Sequence, residues 1–289
     1  LVFATKKYLL KSDDEDAKRL KTSAIFHLND NKVDYLNNIL LNYASSAKYQ
    51  FLGHIFKGEK INDDIIKIPA IKGMMGDKEY YMFSLEPSTL LQIGYVLHRV
   101  RANEDDSPTY QRMLVKSRLK NIGKYLDQGG KFFPNSVIIN FKEAKTVKVF
   151  FKQGENSADT NSNSRFGMIE IPMAFAIANI IDGQHRVYGY SASKYFKKDT
   201  VPVVAFKNMS TPEQLEMFID VNQNQKAISP DLIDTLKENL QWNDPFYDSR
   251  MVALRSSITR VLGETSGYAL YGIITQGGDT AELKRKNFS

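Results

Sequence analysis

The apolar residues of this chain recur with two periods, one typical of helices and one typical of strands. Between Asn29 and Phe51 they follow helical spacing, which predicts one long amphipathic helix. Pro87 begins a second predicted helix that continues to about Arg101, because proline fits the first turn of a helix. Further helices are predicted from the same spacing over residues 110–126, 186–196, 211–221, 230–240 and 251–262.

Short apolar runs between turn residues predict strands. Residues 65–73 and 74–85 have the composition of a hairpin that turns near Gly76. Residues 146–152 alternate in polarity and are predicted to pair with the apolar strand 136–141. Two more buried strands are predicted over residues 176–181 and 201–206, and polar loops over residues 57–64, 153–165 and 221–230.

The order of these elements predicts the fold class. Strands and helices alternate through residues 136–240, which favours an α/β fold with a parallel or mixed sheet. We predict three regions: an N-terminal helical region, residues 1–64, an α/β core, residues 65–240, and a C-terminal helical region, residues 241–289. The core would therefore carry additional helices at both ends.

Composition excludes several classes of function. The chain has no cysteine, which excludes disulfides, thiolate nucleophiles and cysteine metal sites and suits a reducing cytoplasm. No window approaches the ~18 consecutive apolar residues of a membrane span, and the first residues do not resemble a secretory signal. The net charge of +6 permits a nucleic acid or nucleotide partner without requiring one. We therefore expect a cytoplasmic protein that has no membrane partner.

The best-known catalytic motifs are absent from the sequence. It contains no G-x-x-x-x-G-K-[ST] phosphate loop, no G-x-G-x-x-G dinucleotide motif and no G-x-S-x-G elbow. Its four histidines do not have the H-x-x-x-H spacing of a zinc protease. The remaining candidates are polar clusters, most of them where a strand meets a helix.

The first cluster, Asp182–Arg186, has the sequence DGQHR and follows an apolar run. Gly183 allows a sharp turn and close approach of a ligand, and the following helix would direct free N–H groups to the same place. Arg186 offers a planar fork for phosphate, and His185 could bind phosphate or move a proton. Asp182 could cap the helix, hold Arg186 or bind a metal ion. The alternative is an ordinary capped turn in which Arg186 pairs with an acid, and the spacing alone does not decide between them.

Two other clusters carry weaker signals. In the predicted 110–126 helix, Arg112, Lys116 and Lys120 lie four residues apart and form a basic stripe, with Arg118 also polar. Such stripes are usually solvated, but a helix can also contact a nucleic-acid backbone in this way. The remaining cluster is a polar loop whose amides could bond a base or ribose, although solvation is favoured: Asn222, Gln223, Asn224, Gln225 and Lys226.

Several segments together resemble a known family. The letters DGQHR followed by V-Y-G-Y resemble the signature of DGQHR-domain proteins. Three further segments match that pattern in order: YQRMLVKSRLKNIGKYLDQGGKFFPNSVIINF at 110–141, VPVVAF at 201–206 and MFIDVNQNQKAISPDLIDTL at 217–236. The resemblance covers residues of about 110–265. The family it points to is similar to DNA phosphorothioation proteins of the DndB type and to the DpdB-type component of 7-deazaguanine insertion systems. More distantly, the chain is similar to the ParB/sulfiredoxin superfamily, which implies a mixed-sheet core of that kind.

The resemblance implies roles for particular residues. In the ParB/sulfiredoxin superfamily a G-x-x-R sequence at a helix start binds nucleotide phosphates, and Gly183 and Arg186 match it. It implies catalytic roles for Asp182, His185 and Arg186, with Asp182 also the candidate ligand of Mg²⁺. It further implies nucleotide-binding roles for Gly183, Gln184, Asn222, Asn224 and Gln225. The missing cysteine excludes sulfiredoxin chemistry.

Three hypotheses about function remain open. The first is a nucleotide-binding enzyme, an ATPase using ATP or another nucleotide with Mg²⁺ in DNA modification or phage defence. The second is a DNA-binding repressor of a DNA-modification gene cluster, in which Arg112, Lys116, Arg118 and Lys120 contact DNA. The third is a scaffold that the DGQHR segment only stabilises. Expected partners are DNA, other DNA-modification proteins and a second copy of the chain.

Overall fold

A computed structural model describes most of the chain, in two compact units, Leu1–Met209 and Ser210–Ser289. Within these units the described residues are 7–11, 19, 25–98, 111, 113–129, 131–144, 146–155, 163–223, 241–242, 245–264, 267–270, 273–275 and 283–284.

The first unit contains a large sheet and the helices that cover it. Its described helices are α1 (Asp30–Asn42), α2 (Ala47–Ile55), α3 (Pro87–Ile93), α4 (Lys116–Asp127) and α5 (Gln184–Tyr190), with a 3₁₀ turn at Ala44–Ser46. Its described strands are β1 (Tyr8–Lys11), β2 (Ile25–Leu28), β3 (Lys60–Met75), β4 (Lys78–Leu85), β5 (Gly94–Tyr95), β6 (Val137–Phe141), β7 (Phe150–Gln153), β8 (Arg165–Ala174), β9 (Ala178–Asp182) and β10 (Val201–Lys207).

The second unit is described by itself. Its elements are α6 (Thr211–Gln223), α7 (Tyr247–Glu264), β11 (Ile274–Thr275) and β12 (Leu283–Lys284). Helix α6 starts with a capping box, in which the Ser210 backbone N–H donates to Glu213 Oε2 at 2.7 Å and the Glu213 N–H donates to Ser210 Oγ at 3.4 Å. The predicted helix 211–221 is confirmed and extends to Gln223, with Ser210 as its cap.

Eight strands form one mixed sheet in the order β5-β9-β6-β10-β4-β3-β8-β7. Strand β10 runs parallel to β6 and antiparallel to β4, and β9 runs antiparallel to β6. A separate pair of parallel strands joins β1 to β2. The α/β class with a mixed sheet is thus confirmed, with further helices described on both sides of this core in sequence.

The burial pattern explains why these segments form strands. Along β4 buried and exposed residues alternate, and Tyr81, Phe83 and Leu85 face the core. Along β9 every residue up to Ile181 is buried, since this strand is covered on both faces. The hairpin of β3 and β4 is confirmed, and Gly76 at its turn has a φ of +58°.

Four helix predictions are wrong in their bounds. The predicted helix between Asn29 and Phe51 is broken where Tyr43 turns fully into the core and Ala44 takes a φ of +47°. The second predicted helix ends at Ile93, because extended Gly94 pairs with Ala178. The 110–126 helix begins only at Lys116, and the 186–196 helix covers Gln184–Tyr190.

The predicted strand pairing is also wrong in one place. The segment 146–152 forms strand only at Phe150–Gln153, and its partner is β8 rather than β6. The predicted strand 176–181 is the second of two, β8 and β9, which are joined by a turn at Phe175 and Ala176. Part of the predicted loop 57–64 belongs to β3, and Arg165 at the end of the predicted loop 153–165 already belongs to β8.

The remaining helix predictions fall partly outside the described residues. The predicted helix 251–262 is longer, from Tyr247 to Glu264. The predicted helix 230–240 lies outside the described residues. The three-region division stays a prediction, although β3 runs across its first boundary at 64/65.

Candidate functional site

The DGQHR turn, Asp182–Arg186, lies where β9 ends and α5 begins. Gly183 has a φ of +93°, a left-handed conformation that glycine adopts without strain. A Cβ added there would lie 3.1 Å from Arg186 Nη2 and 3.2 Å from Val137 Cγ2. Any other residue at position 183 would be both strained and crowded.

Arg186 clamps this turn to the segment before β6. Its Nη2 pairs with Asp182 Oδ2 at 2.9 Å and donates to Ser136 O at 3.0 Å, and its Nη1 donates to Asn135 O. The Arg186 and Asp182 side chains are only 17% and 19% exposed. The guanidinium therefore already has anionic and carbonyl acceptors, as the capped-turn alternative expected.

His185, unlike Arg186, has a side chain that is free to bond to a ligand as far as the described residues show. Burial, together with the positive charge of Arg118, lowers the pKa of its imidazole to about 4. No hydrogen bond joins its ring to another described residue. At neutral pH it is an uncharged imidazole that can donate or accept a hydrogen bond.

Gln184 contributes a buried carboxamide. The residue is 8% exposed, and its Oε1 has no hydrogen-bond partner among the described residues. A buried acceptor without a partner is unfavourable, so this oxygen marks a place where a donor from a ligand or water would be stabilising.

Two glycines bring the basic helix α4 onto α5. A Cβ at Gly123 would lie 2.9 Å from Ala192 Cβ, and a Cβ at Gly189 would overlap Ile122. Because neither side chain exists, the two backbones approach closely. This packing explains how Arg118, on α4, acts on the pKa of His185.

The basic residues of α4 are exposed, and they lie on two different sides of the helix. Lys116 and Lys120 lie one turn apart on the exposed side, and Lys124 continues the row. Arg118 lies toward the DGQHR turn instead. None of these four side chains forms an ion pair with another described residue. Arg112, the remaining predicted member, lies outside the described residues.

The predicted amide loop is only partly described. Asn222 lies on α6 in the second unit, and its Nδ2 donates to Phe218 O at 2.7 Å. Gln223 is the last residue of that helix, so the predicted loop does not start at 221. Asn224 and Gln225 lie outside the described residues. Their nucleotide-binding roles stay predictions.

The turn offers little support for the predicted Mg²⁺. Magnesium is usually held by one or two carboxylates together with phosphates and water. Asp182 is the single carboxylate of the turn, and it already pairs with Arg186. Across the part of the chain that the structure describes, no group of three or more His, Asp or Glu residues could hold a metal ion. These residues do not by themselves form a metal site.

Comparison with known families decides the affiliation. The family model for DndB, described as DNA-sulfur modification-associated, matches residues 68–243. The chain belongs to the DndB family. The resemblance seen in the DGQHR segment is therefore confirmed, and the match begins earlier than the predicted limit near residue 110. Searches of curated proteins and of solved structures gave no significant match.

In this DndB-family protein a network of buried polar side chains is hydrogen-bonded to α5 through Tyr188. Tyr188 on α5 donates to Gln50 Oε1 at 2.7 Å, and the hydroxyls of Tyr35 and Tyr43 bond to the two ring nitrogens of His98. Burial lowers the pKa of His98 to about 3. Sequence reasoning missed this network, although Gln50 stands out as a polar residue at a buried position of its helix.

The network connects the DGQHR turn to a part of the chain outside the family match. Helices α1 and α2 both precede residue 68, where the match begins. Tyr35 lies on α1, Gln50 on α2 and Tyr43 between the two helices, so these three network residues lie outside the matched span. One more structural finding bears on membranes: among the described residues, no helix is both long and apolar enough to cross a bilayer.

Proposed function

We propose that this protein serves DNA sulfur modification by binding DNA, with α4 and the DGQHR turn contacting the phosphate backbone. The observation that carries the proposal is the row of exposed cations on α4 that have no ion-pair partner among the described residues, one of which, Arg118, acts electrostatically on a neutral His185. Exposed lysines and arginine without acidic partners can neutralise phosphates directly. The DNA-modification role of the family supplies the polyanion.

The geometry favours this role over a purely catalytic one. Arg186, the expected phosphate ligand, is held by Asp182 and two carbonyl groups. Helix α5 has seven residues, so the field at its N-terminus is weak compared with that of a long helix. The available positive charge lies instead on α4. In this proposal the DGQHR turn places His185 and α4 beside the phosphate backbone of the bound DNA.

The experiment is duplex DNA binding measured by fluorescence anisotropy. Combined replacement of Lys116, Arg118 and Lys120 by alanine is expected to weaken binding at least 10-fold at low salt, because three phosphate contacts are lost. Lys148→Ala is the matched control, since Lys148 is an exposed cation next to β7 at the far edge of the sheet. Equal affinities for the triple variant and the control would refute the proposal.

A DNA-binding role leaves open which sequences are bound. As a repressor of DNA-modification genes, the protein would prefer duplexes taken from upstream of those genes to random duplexes. The same anisotropy assay with both kinds of duplex separates a regulator from a component that binds DNA without sequence preference.

A second candidate function is binding and hydrolysis of a nucleotide at the same turn. The observation that favours it is that Gln184 and His185 are adjacent in the turn, and that neither Gln184 Oε1 nor the His185 ring has a hydrogen-bond partner among the described residues. Phosphoryl transfer depends mainly on positioning and charge neutralisation, which Arg118 could assist.

Phosphate release from ATP with Mg²⁺ tests this second function. If the turn hydrolyses ATP, His185→Ala is expected to lower turnover at least 10-fold. Lys148→Ala serves as control. Arg186→Ala is unsuitable here, since loss of the clamp alters the turn itself. Wild-type protein that releases no phosphate, with or without duplex DNA, would exclude the hydrolase.

A further inference from the structure

One face of the large sheet is apolar and exposed. Cross-strand register places Val204 of β10 opposite Met82 of β4, Met82 opposite Ile71 of β3, and Ile71 opposite Phe166 of β8. Directly paired residues project to the same side of a sheet. Four neighbouring strands therefore present a continuous apolar row. We call this side of β10, β4, β3, β8 and β7 the open face.

The open face extends beyond this row. Two residues along each strand, the same side presents Pro202, Pro69 and Met168, and Phe150 of β7 lies opposite Glu170 further on. Met82 is 43% exposed and Phe166 46% exposed. These large apolar side chains are in contact with water unless another surface covers them.

The opposite face of the same strands is ordinary core. The alternate residues Tyr81, Phe83, Ile169 and Ile171 are buried beneath the covering helices. In an antiparallel sheet with one solvated face, the solvated positions are normally polar. The open face breaks this pattern over β10, β4, β3, β8 and β7, so it is not scattered surface hydrophobicity.

The size of the open face is suited to a protein interface. Five strands at about 4.8 Å spacing and about three rows at roughly 7 Å give a face of roughly 400–500 Å², in which Ser84, Lys67, Lys152 and Glu170 are polar. The apolar part of this face is comparable to the largest apolar patches of typical monomers, which are often functional. The whole face covers about half of the ~800 Å² per partner of a standard interface.

The rim identifies the kind of partner. On the same side, Glu170 lies 2.8 Å from Lys152 and 3.8 Å from Lys67. This rim carries both signs of charge, so two copies can meet without like-charge repulsion, and it lacks the single-sign charge expected for DNA. A two-fold arrangement also pairs identical apolar rows, as isologous interfaces require.

We propose that the open face is the contact between two copies of this chain, which form a homodimer by packing sheet against sheet. The twist of each sheet sets the strands of the two copies about 30° apart. Met82, Ile71 and Phe166 lie at the centre of the contact, and Lys67, Lys152 and Glu170 lie at its rim. This dimer is independent of the DNA-binding proposal, because α4 contributes nothing to it.

Sedimentation equilibrium of wild type and two lysine variants tests the dimer. Met82→Lys places a charge at the centre of the open face and is expected to weaken dimerisation at least 30-fold. Met74→Lys is the matched control: Met74 is 57% exposed, but lies three residues after Ile71 and so on the other side of β3. A wild type that is monomeric at 100 μM (the chosen upper concentration, about 10⁻⁴ M) overturns the proposal, and so do equal effects of the two variants.

Thiol labelling gives a second measurement, because the chain has no cysteine. Ser84→Cys places one thiol on the open face, and Asp77→Cys places one at the exposed hairpin turn. Dimerisation predicts that maleimide reacts more slowly with Cys at position 84 as protein concentration rises, whereas position 77 keeps its rate. Slow labelling at position 84 at every concentration would mean that the chain covers the face itself, and would overturn the dimer.

Discussion

Replacement of Arg186 by alanine is expected to lower the free energy of unfolding by about 3 kcal/mol. The substitution leaves Asp182 as a largely buried carboxylate without its cation and leaves two carbonyl groups, Asn135 O and Ser136 O, without their donor. It also frees the segment before β6 from the DGQHR turn. This loss is large because the Arg186 and Asp182 side chains are both largely buried.

Urea unfolding of wild type, Arg186→Ala and Arg118→Ala measures the effect. Arg118 is the matched control: it is exposed on α4, and its loss should change stability by no more than about 0.5 kcal/mol. Combining Arg186→Ala with Asp182→Ala should cost less than the sum of the single changes, because the two side chains interact. Unchanged stability of Arg186→Ala would show that Arg186 is a ligand residue and not a clamp.

Acidification is expected to destabilise the protein through two histidines. In the folded state the pKa of His98 is about 3 and that of His185 about 4, both mainly because of burial. The unfolded chain has ordinary values near 6.5, so it binds more protons between about pH 4 and 6.5. The free energy of unfolding therefore falls as the pH falls, by roughly 2 kcal/mol per histidine between pH 7 and 5.

The slope of stability against pH between 5 and 6.5 measures this directly. His185→Gln should reduce the slope by about one proton, and His98→Gln should do the same even if it also lowers stability at pH 7. The carboxylates with lowered pKa, Glu79 and Glu143, lose their contribution only at lower pH. Slopes that are identical in wild type and both variants would contradict the burial of these imidazoles.

Local signals in the sequence predicted the parts of the structure that depend on neighbouring residues. The hairpin follows from the turn at Gly76, and β10 follows from its apolar run. The strand–glycine–helix junction at Gly183 could be predicted for the same reason, because the change in pattern and the glycine are adjacent. At this junction the predicted change from strand to helix is confirmed.

Features that depend on distant contacts could not be predicted. The acceptors of Arg186, Asn135 and Ser136, lie about fifty residues away in sequence. The break at Ala44 exists because Tyr43 reaches His98 and the N–H of Leu114. Alternation identifies a strand but not its partner, which is why β7 was paired with the wrong neighbour.

The approach of α4 to α5 had a signal in the sequence. Gly123 and Gly189 stand inside helical patterns, where glycine costs stability unless backbones meet closely. Which helix each glycine faces was not encoded locally. The electrostatic effect of Arg118 on His185, on which the DNA-binding proposal draws, therefore emerged only from the structure.

The most direct test of the DNA-binding surface is the salt dependence of duplex binding for wild type and for the triple alanine variant at Lys116, Arg118 and Lys120. Each lost phosphate contact should reduce the slope of log K against log salt by about 0.9, so a reduction of about 2.7 is predicted. An unchanged slope would contradict the account, because it would mean that α4 does not touch the backbone.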